Sequence, residues 1–148
     1  MSRCMIWSTA LLVVAWEPGA TRAALPSVAF ADLARSANCI ALAEPIKPFS
    51  NSEYQFRPLA IISGCDSSDA MLIVRRSSSE SRGEFARMPY VLFLQRLGDG
   101  HYAYSREPFG ALSVMDGSVS TYAFGELPTR MPLEQLIKLI KDERRDEK

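Results

Sequence analysis

From residue 39 onward the chain alternates apolar and polar positions at period two, and it ends on a segment with helical periodicity. Cys39 to Ile46 puts Ile40 and Leu42 on one side and Cys39, Ala41 and Ala43 on the other, which predicts a strand. Lys47 to Glu53 contains Pro48, Ser50, Asn51 and Ser52, residues of loop chemistry. Tyr54 to Ser63 then reads as a returning strand, with Pro58 demanding an edge or a bulge because it has no backbone donor. Ala70 to Arg76 predicts a third strand. Tyr90 to Leu97 is apolar on both faces and is expected to be central. Gly98-Asp99-Gly100 turns the chain into His101 to Ser105, and Asp116-Gly117 joins Leu112–Met115 to Val119–Ala123.

Helical spacing occurs twice. Ser27 is placed to cap a short helix with Phe30, Leu33 and Ala37 on one face and Asn38 as its stop. Near the other end Pro132 suits a first helical position, followed by Leu133, Leu136, Ile137 and Ile140 on one face. The alternating charges of 141–148 predict a frayed, solvated tail, and the polar stretch 77–88 predicts a flexible loop. No helix separates successive strands, so a parallel βαβ architecture is disfavoured. The expected fold is mainly β (α+β): a small antiparallel meander or partly open OB-like barrel, with a short N-terminal helix and a C-terminal helix.

The first two dozen residues obey another pattern. Arg3 precedes an uncharged run from Cys4 to Trp16, Pro18 and Gly19 follow, and Thr21-Arg22-Ala23 places small residues before a cut. This is the anatomy of a signal peptide over 1–23, leaving one exported domain over 24–148 in the periplasm or outside the cell. The run is too short for a stable membrane span, which needs about 20 apolar residues. The 148-residue chain carries 17 basic and 17 acidic residues; cleavage removes Arg3, Arg22 and Glu17, leaving 15 and 16. So weak a balance provides no field to attract nucleic acid. Of three cysteines, Cys39 and Cys65 remain. Folding the first hairpin about residue 51 or 52 sets Cys39 opposite residues 63 to 65, so spacing and compartment point to the same disulfide.

Catalytic signatures are missing: there is no Gly-x-Ser-x-Gly elbow, phosphate loop, Cys-x-x-Cys or paired-His zinc motif. His101, the single histidine, reads as an exposed turn residue, and a base would need an orienting carboxylate and a nucleophile beside it. Asp66 and Asp69 share a loop but lack the run of oxygen ligands that calcium requires, so they read as turn caps. Glu80, Arg82 and Glu84 read as a mixed-charge solvated loop. Tyr54, Phe56, Tyr102 and Tyr104, with Tyr90 and Tyr122 beside them, offer an aromatic binding surface or, more simply, a sheet covering. No cofactor and no metal is expected.

Ala37-Asn38-Cys39-Ile40-Ala41-Leu42-Ala43, then Tyr54 to Gly64, then Met88-Pro89-Tyr90-Val91-Leu92-Phe93-Leu94 resembles small exported bacterial proteins. The pattern over roughly residues 28 to 125 is similar to the netrin-like, OB-type barrel of tissue inhibitors of metalloproteinases. Those inhibitors chelate their target's zinc through a mature N-terminal Cys. Here the mature end would be Ala24-Leu25-Pro26, so the resemblance implies a fold and not that mechanism. The expected function is a non-enzymatic module that binds a protein or envelope ligand. The alternative is an inhibitor of an extracytoplasmic protease, with an enzyme third.

Overall fold

The structure, a computed structural model, describes residues 29–66, 68–76, 85–106 and 109–146. The expected signal peptide, the Ser27 cap, residues 77–84 of the expected loop with Glu80, Arg82 and Glu84, and the last two tail residues lie outside these.

Helix α1 (Phe30–Ser36) leads into strands β1 (Cys39–Pro48), β2 (Glu53–Ser63), β3 (Leu72–Arg75), β4 (Tyr90–Arg96) and β5 (Tyr102–Tyr104). Then come β6 (Ala111–Met115), β7 (Ser118–Ser120), β8 (Arg130–Pro132) and α2 (Leu133–Arg145). The first five strands pair in the order β1-β2-β3-β5-β4, and β4 returns to β1 with Ala43 opposite Tyr90 and Cys39 opposite Leu94. That last ladder closes a five-strand barrel, so the expected mainly β fold with two short helices takes its barrel form, not the meander, and is closed where a partly open one was expected. The β3–β5 contact, Val74 opposite Tyr102, is parallel, an exception to the expected antiparallel run. Strand β8 escaped notice because three residues carry no periodicity.

β1 and β2 pair as their register predicts, with Ile40 opposite Ser63 and Pro48 opposite Tyr54. Irregularities fall beside Ile40, beside Ala43 and between Pro45 and Lys47, and Pro58 sits at the second of them. Bulges of this kind bend a long strand enough to wrap a small barrel. Cys39 and Cys65 are joined by a disulfide across the end of this hairpin. Gly64, between them, has φ +72°, and a Cβ there would overlap the Asn38 carbonyl oxygen, so only glycine fits. Asp116 (φ 51°) and Gly117 (φ 73°) form the tight turn between β6 and β7.

Two cores share β4. Leu92 and Leu94 point into the barrel with Ala41, Ala43, Tyr54, Phe56, Leu72, Val74, Tyr102 and Tyr104. Val91 and Phe93 point outward into a second layer made by α1, α2 and β6–β8, with Leu33, Val119, Phe124, Leu136 and Ile140. The continuous apolar run of β4 is therefore buried on both faces.

The C-terminal segment departs from expectation. α2 continues to Arg145 instead of fraying at 141, and Pro132 is its N-cap residue. Arg144 Nη1 donates to the carbonyls of Ala34 (3.0 Å) and Ala37 (2.6 Å), closing the C-terminal end of α1, while Arg35 pairs with Glu143 at 2.8 Å. The other end of α1 has no side-chain cap of its own; the Phe30 amide donates instead to Glu126 Oε1 at 2.6 Å. Tertiary partners for the charges, which local pattern does not reveal, hold the tail in place.

Candidate functional site

The four aromatic residues expected on a binding surface line the barrel interior instead. Tyr54 is 3%, Phe56 0%, Tyr102 1% and Tyr104 7% exposed. Their period-two spacing marks an inward face, and closure of the barrel turns that face away from solvent. This is a correction to the surface reading: as side chains they are core.

Phe85, just after the undescribed stretch, packs edge-on against this lining. Its ring centroid lies 4.8 Å from Tyr54, 5.1 Å from Phe56 and 5.5 Å from Tyr90. The end of the expected flexible loop is thus docked on the barrel. It also forms one wall of a surface hollow of about 330 Å³, lined by Glu44, Pro45 and Ile46 of β1, Tyr54 of β2, and Phe85, Arg87, Met88 and Pro89. The hollow lies where β1 runs on beyond its last partner in β4. Glu44 is paired with Arg57, and Arg87 has no ion-pair partner among the described residues.

A second hollow of about 330 Å³ lies on the other side of Met88. Its lining comprises Met88, Tyr90, Phe109, Ala111, Leu112 and Ser113, with Ser120, Tyr122 and Ala123 from the far side. The two cavities share Met88, and the Met88-Pro89-Tyr90 segment divides them. Ligand sites commonly have about this volume, with apolar walls and a few polar groups. Sequence could not assemble either hollow, since each draws on segments far apart in the chain.

A third depression of about 260 Å³ is lined by Ser63, Lys141, Arg144 and Arg145. Arg144 is already committed to the α1 carbonyls.

His101 sits between two loops. Its Nδ1 lies 2.7 Å from Glu53 Oε1 and 3.7 Å from Asp99 Oδ2, and its ring meets Phe49 edge-on at 5.8 Å. It is half-buried, not the exposed turn residue expected. Its own amide donates to Asp99 Oδ1 at 3.1 Å, and this bond is the main cause holding the Asp99 carboxyl below its ordinary range. Two carboxylates therefore flank the imidazole. No Ser, Thr or Cys side chain among the described residues is hydrogen-bonded to it, and it lines none of the three hollows. The constellation ties the β1–β2 and β4–β5 loops together, and among the described residues no nucleophile of a hydrolytic triad stands beside it.

Asp66 and Asp69 are each engaged by protein groups. Asp66 pairs with Arg96 at 2.7 Å, and Asp69 accepts the hydroxyl of Tyr102. Burial, then the bond to Asp69, pushes the Tyr102 phenol above its ordinary value. The Tyr102 hydrogen bond, with the charge of Asp66, raises Arg96. The pair thus fastens the loop after Cys65 onto the barrel. No group of three or more His, Cys, Asp or Glu among the described residues is arranged to hold a metal.

No described helix is long and apolar enough to cross a membrane. In comparison with known proteins, no family model, no curated protein and no solved structure matches this chain.

Proposed function

We propose that the chain is an exported, non-enzymatic binding module, in which residues 1–23 direct export and are removed. The observation that carries the binding reading is the pair of adjoining hollows that share Met88. One has a guanidinium and a carboxylate on its wall and the other has no charge, so together they suit a ligand with distinct ends. Export is supported by the apolar run Cys4–Trp16 and by the Cys39–Cys65 disulfide, a bond typical of oxidising compartments. The ligand would be a protein or another component of the cell envelope.

The test is amide chemical-shift mapping of the purified protein titrated with peptide and glycan fractions of the envelope. Saturable shifts confined to residues 44–46, 85–90, 111–113 and 120–123 are the expected result. Turnover of an ester or amide substrate that is lost in His101→Ala would overturn the non-enzymatic reading. Tight, stoichiometric inhibition of an extracytoplasmic protease would replace the leading reading by the inhibitor alternative. Mass spectrometry of protein recovered from the periplasm should find an N-terminus at Ala24; a chain retaining residues 1–23 would refute export by cleavage.

A further inference from the structure

The uncharged hollow carries enough chemistry to name its ligand class, an inference that rests on the binding reading above. It lies at a fork in the sheet. The β6–β7 ladder runs through Met115–Ser118 and Val114–Val119 and stops there. In the same register Ser113 and Ser120 would be the next pair, and both instead line the hollow. Neither hydroxyl is hydrogen-bonded to a described residue. Across and around them stand the rings of Tyr90, Phe109 and Tyr122. Tyr122 is 77% exposed, so a large ring stands on the rim with little of its own chain covering it.

Each feature restricts the ligand. None of the nine lining residues is charged, so an ionic ligand would lose hydration without gaining a counter-charge. A wholly apolar ligand would bury the Ser113 and Ser120 hydroxyls without partners, which is unfavourable. A neutral ligand that combines a flat apolar face with hydroxyl groups satisfies both walls: the face stacks on Tyr122 and the hydroxyls exchange hydrogen bonds with the serines. We infer that this hollow is a saccharide subsite, holding one sugar unit of a neutral oligosaccharide. Because it is open to solvent, the rest of the glycan chain can extend across Met88 toward the neighbouring hollow.

The experiment uses protein expressed from the full chain and purified under non-reducing conditions, titrated with N,N′,N″-triacetylchitotriose and cellotriose and followed by amide chemical shifts. At least one trimer should give saturable shifts at Ser113, Ser120 and Tyr122, with Phe49 and His101 unmoved. Tyr122→Ala should weaken that binding at least about threefold, the loss of one ring's stacking, while Tyr122→Phe retains it. Ser120→Ala should weaken it as well. Because Tyr122 is exposed, its substitution leaves folding intact, and an unchanged melting temperature verifies this. No saturable shift with either trimer, or equal affinity in Tyr122→Ala, overturns the subsite. A response at these residues to a neutral tripeptide amide but to neither sugar also overturns it, yet leaves the broader binding reading standing. Silence of both hollows toward sugars, peptides and envelope fractions alike sinks both.

Discussion

Reducing the Cys39–Cys65 bond tests how much of this barrel's stability resides in its unfolded chain. The two residues are 26 apart in sequence, and the bond closes the β1–β2 hairpin at its open end. Opening a loop of that size restores denatured-state entropy equivalent to about 3.5 kcal/mol at 25 °C. With a urea slope of about 2 kcal/mol/M, the midpoint should fall by about 1.7 M. At about 3–4 °C per kcal/mol for a domain of this size, the melting temperature should fall by about 12 °C. Reduction with a phosphine is the cleaner perturbation, because it leaves every side-chain atom in place; Cys39→Ala would add a cavity, since Cys39 is buried. The assay is urea unfolding, oxidised against reduced, read by far-ultraviolet circular dichroism and by stopped-flow kinetics. Because the effect acts on the unfolded ensemble, refolding should slow while unfolding changes little, provided the hairpin is paired in the transition state. A midpoint shift below about 0.3 M would refute the entropic account. A loss expressed wholly in the unfolding rate would show that the ends of the hairpin are still apart in the transition state.

Two further outcomes follow from the network around the barrel. Arg144→Ala should cost about 2 kcal/mol, since it strips two charge-assisted bonds from the Ala34 and Ala37 carbonyls, and Arg144→Lys should recover only part, because its shorter side chain places the ammonium short of the point from which Nη1 reaches both acceptors. Urea midpoints decide it, and a loss below about 0.5 kcal/mol would show that the α1 end is held by packing alone. Tyr102 supplies a pH signature: its folded pKa is raised, so its contribution is fully present below the unfolded value of about 10 and is lost as pH rises through the folded value. Tyr102→Phe should lower stability at pH 8 by losing the bond to Asp69 and should flatten the decline from that group above pH about 10. Parallel alkaline declines in the two proteins would contradict the assignment.

What could be read from residue order was local. The run Tyr90–Leu97 revealed a strand buried on both faces because no polar position interrupts it, and Asp116-Gly117 revealed a turn because few other pairs tolerate its backbone. Hairpin geometry reached as far as Cys39 and Cys65, since a ladder carries register across a short loop. Closure was not legible, because nothing in β1 or β4 alone states that they pair. That omission placed Tyr54, Phe56, Tyr102 and Tyr104 on a surface: alternation marks which side chains share a face and is silent on whether the face is wet. The two hollows were illegible for the same reason, being assembled from residues 44–46, 54, 85–90, 109–113 and 120–123. The tail misled in the opposite direction, because Arg144 reads as solvated until α1 is laid beside it.

The double membership of β4 makes the barrel and its outer layer one cooperative unit. Pulling Val91 and Phe93 out of the outer layer drags Leu92 and Leu94 out of the barrel, so neither core can melt while the other survives. The slowest-exchanging amides should therefore lie in β4 and report global opening. A ligand that grips the hollow flanked by Tyr90 and Ser113 stands against the start of that strand, and its binding energy would be felt throughout the molecule as resistance to opening.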